Sequence, residues 1–247
     1  MRLMTVPSAA MALVLLIPLF LLWVPAAQAG QATERQRQVK DAMRGRDLRR
    51  VEVAVEGTEA ILSGNVPHFW AKDQAIKRAL EVEGIETVAS ELELPEAEDD
   101  NDIAEDVAKV VQRYPHYTIW DHITGRVNGG KVFLGGWVTP DRQKANELFE
   151  RVAKIKGVQD VQSEIQTLSP SQSDRVLRNS FQRQLAANTH FERVARMVNP
   201  PFHIIVNNGI VVLVGYVQTQ TEIIEMQRII AQTQGVLRVD NQLQKLQ

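Results

Sequence analysis

Apolar and polar positions along this chain fall into one arrangement three times over. A helix-spaced apolar stripe leads into two short apolar or alternating runs joined by a glycine turn. Helical spacing then returns, and a Gly-apolar pair opens a last run. From first to last strand the copies span Val51–Leu94, His122–Leu168 and Phe202–Leu246. Their fixed points are Leu62/Leu134/Leu213, Gly64/Gly136/Gly215, Val66/Val138/Val217, Gly84/Gly157/Gly235 and Val88/Val161/Val239. A period of 72 to 79 residues is too long for a thin solenoid and suits tandem small domains.

The elements within a copy follow from this pattern. Ile103, Val107, Val110, Val111 and Tyr114 predict a helix over Asp102–Arg113, and Leu177, Phe181 and Leu185 predict its counterpart in copy three. The first copy's helix, roughly Thr33–Gly45, has only Val39, Ala42 and Met43 on its apolar side. Asn128-Gly129 and Asn208-Gly209 are hairpin signals, with Glu56-Gly57 a weaker one, because Asn and Gly tolerate the positive φ of a type I′ turn. Thr139-Pro140-Asp141 reads as N-cap, first-position proline and acidic first turn, ahead of the stripe Leu148, Phe149, Val152 and Ala153. Matching stripes are Ala75, Ile76, Ala79 and Leu80 in copy one and Met226, Ile230 and Ala231 in copy three. Gly84, Gly157 and Gly235 suit helix C-caps, and the mid-strand glycines mark a bulge or a close approach. The fold class is therefore α+β: three tandem small αββαβ domains, each a three-stranded sheet with two helices packed on one face. The last strand follows a helical crossover and runs parallel to the second; periodicity leaves open whether it lies beside the second or the first.

The domains are expected at 31–95, 96–168 and 169–247, divided by the acidic linker Pro95–Asp102 and by Ser169-Pro170-Ser171-Gln172-Ser173. Residues 1–29 read as a signal peptide. Arg2 precedes the apolar run Ala9–Val24, 16 residues broken by Pro18, and Ala27-Gln28-Ala29 offers a cleavage site after Ala29. Export to a periplasm fits this reading; an uncleaved membrane anchor is the alternative. The chain has no cysteine, hence no disulfide framework and no lipid-anchoring thiol. Net charge over the three domains is −2, −4 and +3, which points an anionic partner towards the last.

Catalytic chemistry finds little support. The histidines are His68, His116, His122, His190 and His203, and His116, Asp121 and His122 lack any helical ligand spacing for a metal. Nucleophile-elbow, phosphate-loop and dinucleotide motifs are absent, so neither an enzyme nor a cofactor is expected. An acidic middle domain and no basic run interleaved with stacking aromatics argue against nucleic acid.

The strand signatures Ala60–Val66, Val132–Val138 and Val211–Val217, with the closing motif Lys156-Gly157-Val158-Gln159-Asp160-Val161, resemble the BON domain. The resemblance covers nearly all of 36–247, and Tyr114–Asn128 and Met197–Gly209 look like a subfamily of multi-BON exported proteins. It implies an exported bacterial envelope protein, in a family with osmotically induced periplasmic members, that is associated with phospholipid membranes, envelope integrity and other envelope proteins. No catalytic residues belong to the motif.

Candidate lipid contacts lie where the copies differ. Arg175, Arg178 and Arg183 accompany Phe181 and Leu177, and Arg193 and Arg196 flank Phe191 and Met197. Guanidinium groups there would hold anionic headgroups while a ring enters the interface. The same spacing also describes core apolar residues with solvated arginines. Phe69 and Trp70, after Pro67-His68, either anchor at a headgroup layer or pack on the first helix or another domain. The insert Asn188–Pro201 reads as a short helix from Thr189 that stops before Pro200-Pro201. Peripheral binding to anionic phospholipid is the leading expectation; a structural adaptor contacting other envelope proteins is the alternative.

Overall fold

The alternation produces nine strands in three separate sheets. The computed structural model describes residues 26–194, 197 and 199–246, and all counts concern these. In domain one, α1 (Ala26–Ala42) precedes the hairpin β1 (Val51–Glu56) and β2 (Glu59–Asn65), and α2 (Phe69–Leu80) crosses to β3 (Thr87–Glu93). Domain two repeats the order with α3 (Asp100–Gln112), β4 (His122–Asn128), β5 (Lys131–Val138), α4 (Lys144–Val152) and β6 (Asp160–Thr167). Domain three follows with α5 (Gln172–Ala187), β7 (Phe202–Asn207), β8 (Ile210–Val217), α6 (Gln220–Ala231) and β9 (Arg238–Lys245). In every sheet the hairpin is antiparallel and the last strand lies parallel beside the second. The helical crossover fixes that direction.

Leu62, Leu134 and Leu213 are buried on the central strands. Each domain has its own core: Val39, Met43, Ala75 and Ala79 surround Leu62; Ile103, Val107 and Val152 surround Leu134; Phe181, Leu185 and Met226 surround Leu213. Burying each of the larger side chains contributes about 1.5–3 kcal/mol, so each domain rests on its own apolar face. No described helix is long and apolar enough to cross a membrane. The leader expected over 1–29 lies outside the described residues except for 26–29, which open α1.

Several boundaries differ from expectation for identifiable reasons. Helix α4 starts at Lys144 with Gln143 as its N-cap residue, because the Thr139 hydroxyl is engaged by the carboxylates of Asp121 and Asp141. Gly84, Gly157 and Gly235 have positive φ but sit beyond the helix ends, in the turn that enters the last strand. The hairpin loop of domain two is Gly129-Gly130, with Asn128 still paired to Lys131. Over residues 189–193 the insert forms turns that bring Phe191 into the core; the short helix expected from Thr189 falls partly on residues 195, 196 and 198, outside the described residues.

The mid-strand glycines answer the bulge-or-approach question. Gly64, Gly136 and Gly215 have φ of 103°, 112° and 107°, and a Cβ there would overlap the carbonyl oxygens of Arg50, His122 and Pro201. Gly57 also has positive φ, at 63°, but nothing lies near its missing Cβ. Gly57→Ala should therefore destabilise by about 1 kcal/mol, the left-handed penalty alone. Gly136→Ala should cost about 3 kcal/mol, because β4 must also move. Urea unfolding of the two variants separates strain from overlap.

Candidate lipid-binding surface and domain seams

The proposed contact residues divide into three groups once folded. Arg175, Arg183 and Arg193 are exposed and take part in none of the ion pairs among described residues. Arg178 is half-buried: its Nη1 donates to the Val206 carbonyl at 3.3 Å, tying α5 to β7, and burial lowers its pKa. Phe181 and Phe191 are fully buried in the third core, Phe191 edge-on to Phe202 at 6.1 Å. This corrects the expectation of an inserting ring, since extracting either would open the core. Arg196 lies outside the described residues.

Phe69 and Trp70 form the seam between domains one and two. They open α2, whose N-cap is the His68 side chain, with Nδ1 accepting the Ala71 N–H at 3.1 Å. Both rings meet Phe149 of α4 edge-on, at 6.4 and 5.9 Å, and the Trp70 N–H donates to the Ala153 carbonyl at 2.9 Å. Lys77 and Lys154 cap the cluster, 6.0 and 5.8 Å from the Trp70 ring. Of the alternatives left open by the sequence, contact with another domain is the one realised, and it removes these rings from a headgroup layer.

The middle domain holds a buried polar network that sequence reading missed. Lys144 and Asp121 are both fully buried and pair at 2.9 Å. Asp121 also accepts from Thr118 N and Oγ1 at 2.8 Å, and from Thr139 N at 2.7 Å and Oγ1 at 3.0 Å. The Lys144 ammonium reaches Thr139 Oγ1 at 2.7 Å and Asp141 at 3.2 Å. The one signal in the sequence was an acid set in the apolar run Ile119-Trp120-Asp121-His122-Ile123. A fixed Thr118–Asp121 turn lets Ile119 and Trp120 pack on the third core, while the Ile119 carbonyl accepts the Ile204 N–H at 2.8 Å.

Beside that turn His122 and His203 face each other across the seam, ring centroids 5.5 Å apart. His203 Nε2 lies 3.5 Å from the Tyr117 hydroxyl, and the Nδ1 of both rings is buried without a partner. Burial, then the neighbouring His122, pulls the His203 pKa down from 6.5 to about 4, and burial lowers His122 as well.

The BON sequence model matches residues 31–96, 99–169 and 173–245. The chain belongs to the BON domain family. BON domains are associated with phospholipid membranes and envelope proteins, and this chain is built of three of them. No curated protein matches it. Among solved structures it is similar to the C-terminal domain of CdsD, the structural protein of the type III secretion system of Chlamydia trachomatis. That similarity has 13% identity and a TM-score of 0.26, covering 85% of this chain and 96% of that one. A second similarity is to the PrgH periplasmic domain, at 13% identity and a TM-score of 0.21, over 84% and 100% of the two chains.

Within the BON frame, the acids at the starts of the first helices do more than complement a dipole. Asp100 accepts the N–H groups of Gly129 and Gly130, both at 2.8 Å, and Asp174 accepts those of Asn208 and Gly209 at 2.7 and 2.9 Å. Each carboxylate clamps its helix to the hairpin loop, and the donated N–H groups lower the Asp100 pKa. In the first BON domain Arg35 reaches the Gly57 carbonyl instead, at 2.8 Å.

Two predictions follow from the seams. Undocked histidines titrate near 6.5, whereas docked His203 binds its proton only near 4. Below 6.5 the open state holds more protons, so closure weakens as pH falls from 6.5 towards 4 and then levels off. Trp120 fluorescence, read in wild type and His203→Gln, checks this: the variant should lose most of the pH dependence. Lys144→Met should destabilise by about 3–5 kcal/mol in urea unfolding, because it strands the Asp121 charge in the interior.

Proposed function

We propose that this chain is a non-enzymatic, exported envelope protein that binds anionic phospholipid surfaces peripherally, with its third BON domain as the contacting unit. The observation that carries this reading is the set of exposed guanidiniums of Arg175, Arg183 and Arg193, which form no ion pair among the described residues, in the one domain with an excess of positive charge. Each basic residue near an anionic surface contributes about 1 kcal/mol, so three give weak, salt-sensitive binding that needs apolar contact to hold. With Phe181 and Phe191 in the core, that apolar contact must come from other side chains.

A second reading, a structural adaptor for other envelope proteins, draws on the two seams. Phe69-Trp70 and Ile119-Trp120 are aromatic-aliphatic plugs by which one BON domain grips the next.

Residues 26–247, which omit the apolar run, should sediment with vesicles containing phosphatidylglycerol and not with phosphatidylcholine alone, and salt should release them. Arg175→Glu with Arg183→Glu should abolish sedimentation at unchanged melting temperature. Equal sedimentation with both lipids, or none with either, would remove the lipid reading and leave the adaptor.

A further inference from the structure

Strand register allows position-by-position comparison of the hairpin ends of the three domains. The residue opening each central strand is Glu59, Lys131 or Ile210, and the parallel ladder pairs it with Thr87, Asp160 or Arg238. The residue before that partner is Glu86, Gln159 or Leu237, each donating its N–H to the hairpin loop, at the carbonyl of Thr58, Gly130 or Gly209. Two residues beyond the clamping aspartate stand Asp102 in domain two and Val176 in domain three. Domains one and two thus carry polar side chains at the two strand sites, and domain two carries one at the helix site. Domain three carries apolar ones and leaves them in solvent: Val176 is 56% exposed, Ile210 41% and Leu237 79%. Charge changes in step, with Arg175 at the place of Asn101 and Arg238 at the place of Asp160.

Domain two shows one way in which this end is covered. In domain two the acidic linker folds across it: Gln159 Nε2 donates to the Pro95 carbonyl at 2.7 Å, and Lys156 pairs with Glu98 at 2.5 Å. Domain three has Gln234 and Leu237 in place of Lys156 and Gln159. Its α5 also starts two residues ahead of the clamping Asp174, drawing the linker into the helix, whereas α3 starts at Asp100. A cleft of about 550 Å³ stays open between the first turn of α5 and the hairpin, walled by Val176, Leu177 and Leu237. Asp174, the sole carboxylate among its lining residues, is buried against the Asn208 and Gly209 N–H groups. This end of the domain lies at the far end of the strands from the His203 seam, so domain two does not obstruct it.

We infer that the hairpin end of the third domain is the surface that enters the bilayer interface. Leu237, Val176 and Ile210 supply the apolar contact, and Arg175 and Arg238 hold lipid phosphates. The inference rests on the lipid reading above and names its site. The occupant is an anionic phospholipid surface because Arg175 and Arg238, neither in an ion pair among the described residues, flank exposed aliphatic side chains with no exposed carboxylate lining the cleft.

The test uses residues 26–247 and substitutions borrowed from domain two, Leu237→Gln and Val176→Asp, which the same fold already accommodates. Together they should weaken sedimentation with phosphatidylglycerol vesicles by about tenfold or more, at unchanged circular dichroism and melting temperature. Independently, Leu237→Trp should shift its emission to the blue and be quenched by brominated acyl chains in anionic vesicles alone. If wild type sediments but both readouts stay flat, the site is wrong and the lipid reading survives. If wild type itself does not sediment, the reading and the site fall together. A concentration-dependent dimer that Leu237→Gln abolishes, with no response to vesicles, would make this end a protein interface and overturn the inference.

Discussion

The buried pair of Asp121 and Lys144 is the interaction through which the two seams are linked. It joins the entry of β4, the exit of β5 and the start of α4 inside the one domain that touches both neighbours. On one side it fixes the turn that carries Ile119 and Trp120 into the third core. On the other it sets where α4 begins, and α4 brings Phe149 and the Ala153 carbonyl to Phe69 and Trp70. A charge pair in such surroundings is held less for net stability than for geometry, because desolvation offsets much of the Coulombic gain. Here the geometry is that of the whole chain.

The two seams are built differently, which is unusual for a tandem repeat. Domain one docks through the start of its second helix, and domain two through the turn before its first strand. The copies therefore share a fold without sharing a packing rule, and the chain does not continue as a regular solenoid. Each seam uses residues at positions where the copies diverge, and so does the open apolar end of domain three. Shared positions hold each domain together, whereas divergent ones decide what each domain touches.

Much of the fold was legible from the sequence because its determinants are local. Alternation, hairpin glycines and the stripes at Leu177, Phe181 and Leu185 depend on neighbours a few residues away. The candidate surface was only partly legible, for a physical reason. A phenylalanine at helical spacing looks the same whether it faces a core or a membrane, and only the packed sheet shows that Phe181 and Phe191 face inward. Arg178 likewise reads as a surface charge along the sequence, whereas in the fold its guanidinium donates to the Val206 carbonyl. Leu237 gave no periodic signal, since it lies in the short link between Gly235 and β9 and matters through what fails to cover it.

By itself the sequence determined three αββαβ units, their order, their glycine turns and the basic character of the last. These are set by side-chain periodicity and backbone φ preference, both properties of short stretches. The tertiary structure alone decided which strand the last one joins, why the mid-strand glycines must lack a Cβ, and which aromatic residues are sealed in seams. It also brought His122 to His203 and Asp121 to Lys144, and left Val176, Ile210 and Leu237 uncovered. Those outcomes depend on contacts between residues distant along the chain, and exposure is a property of the assembled surface that no local pattern encodes.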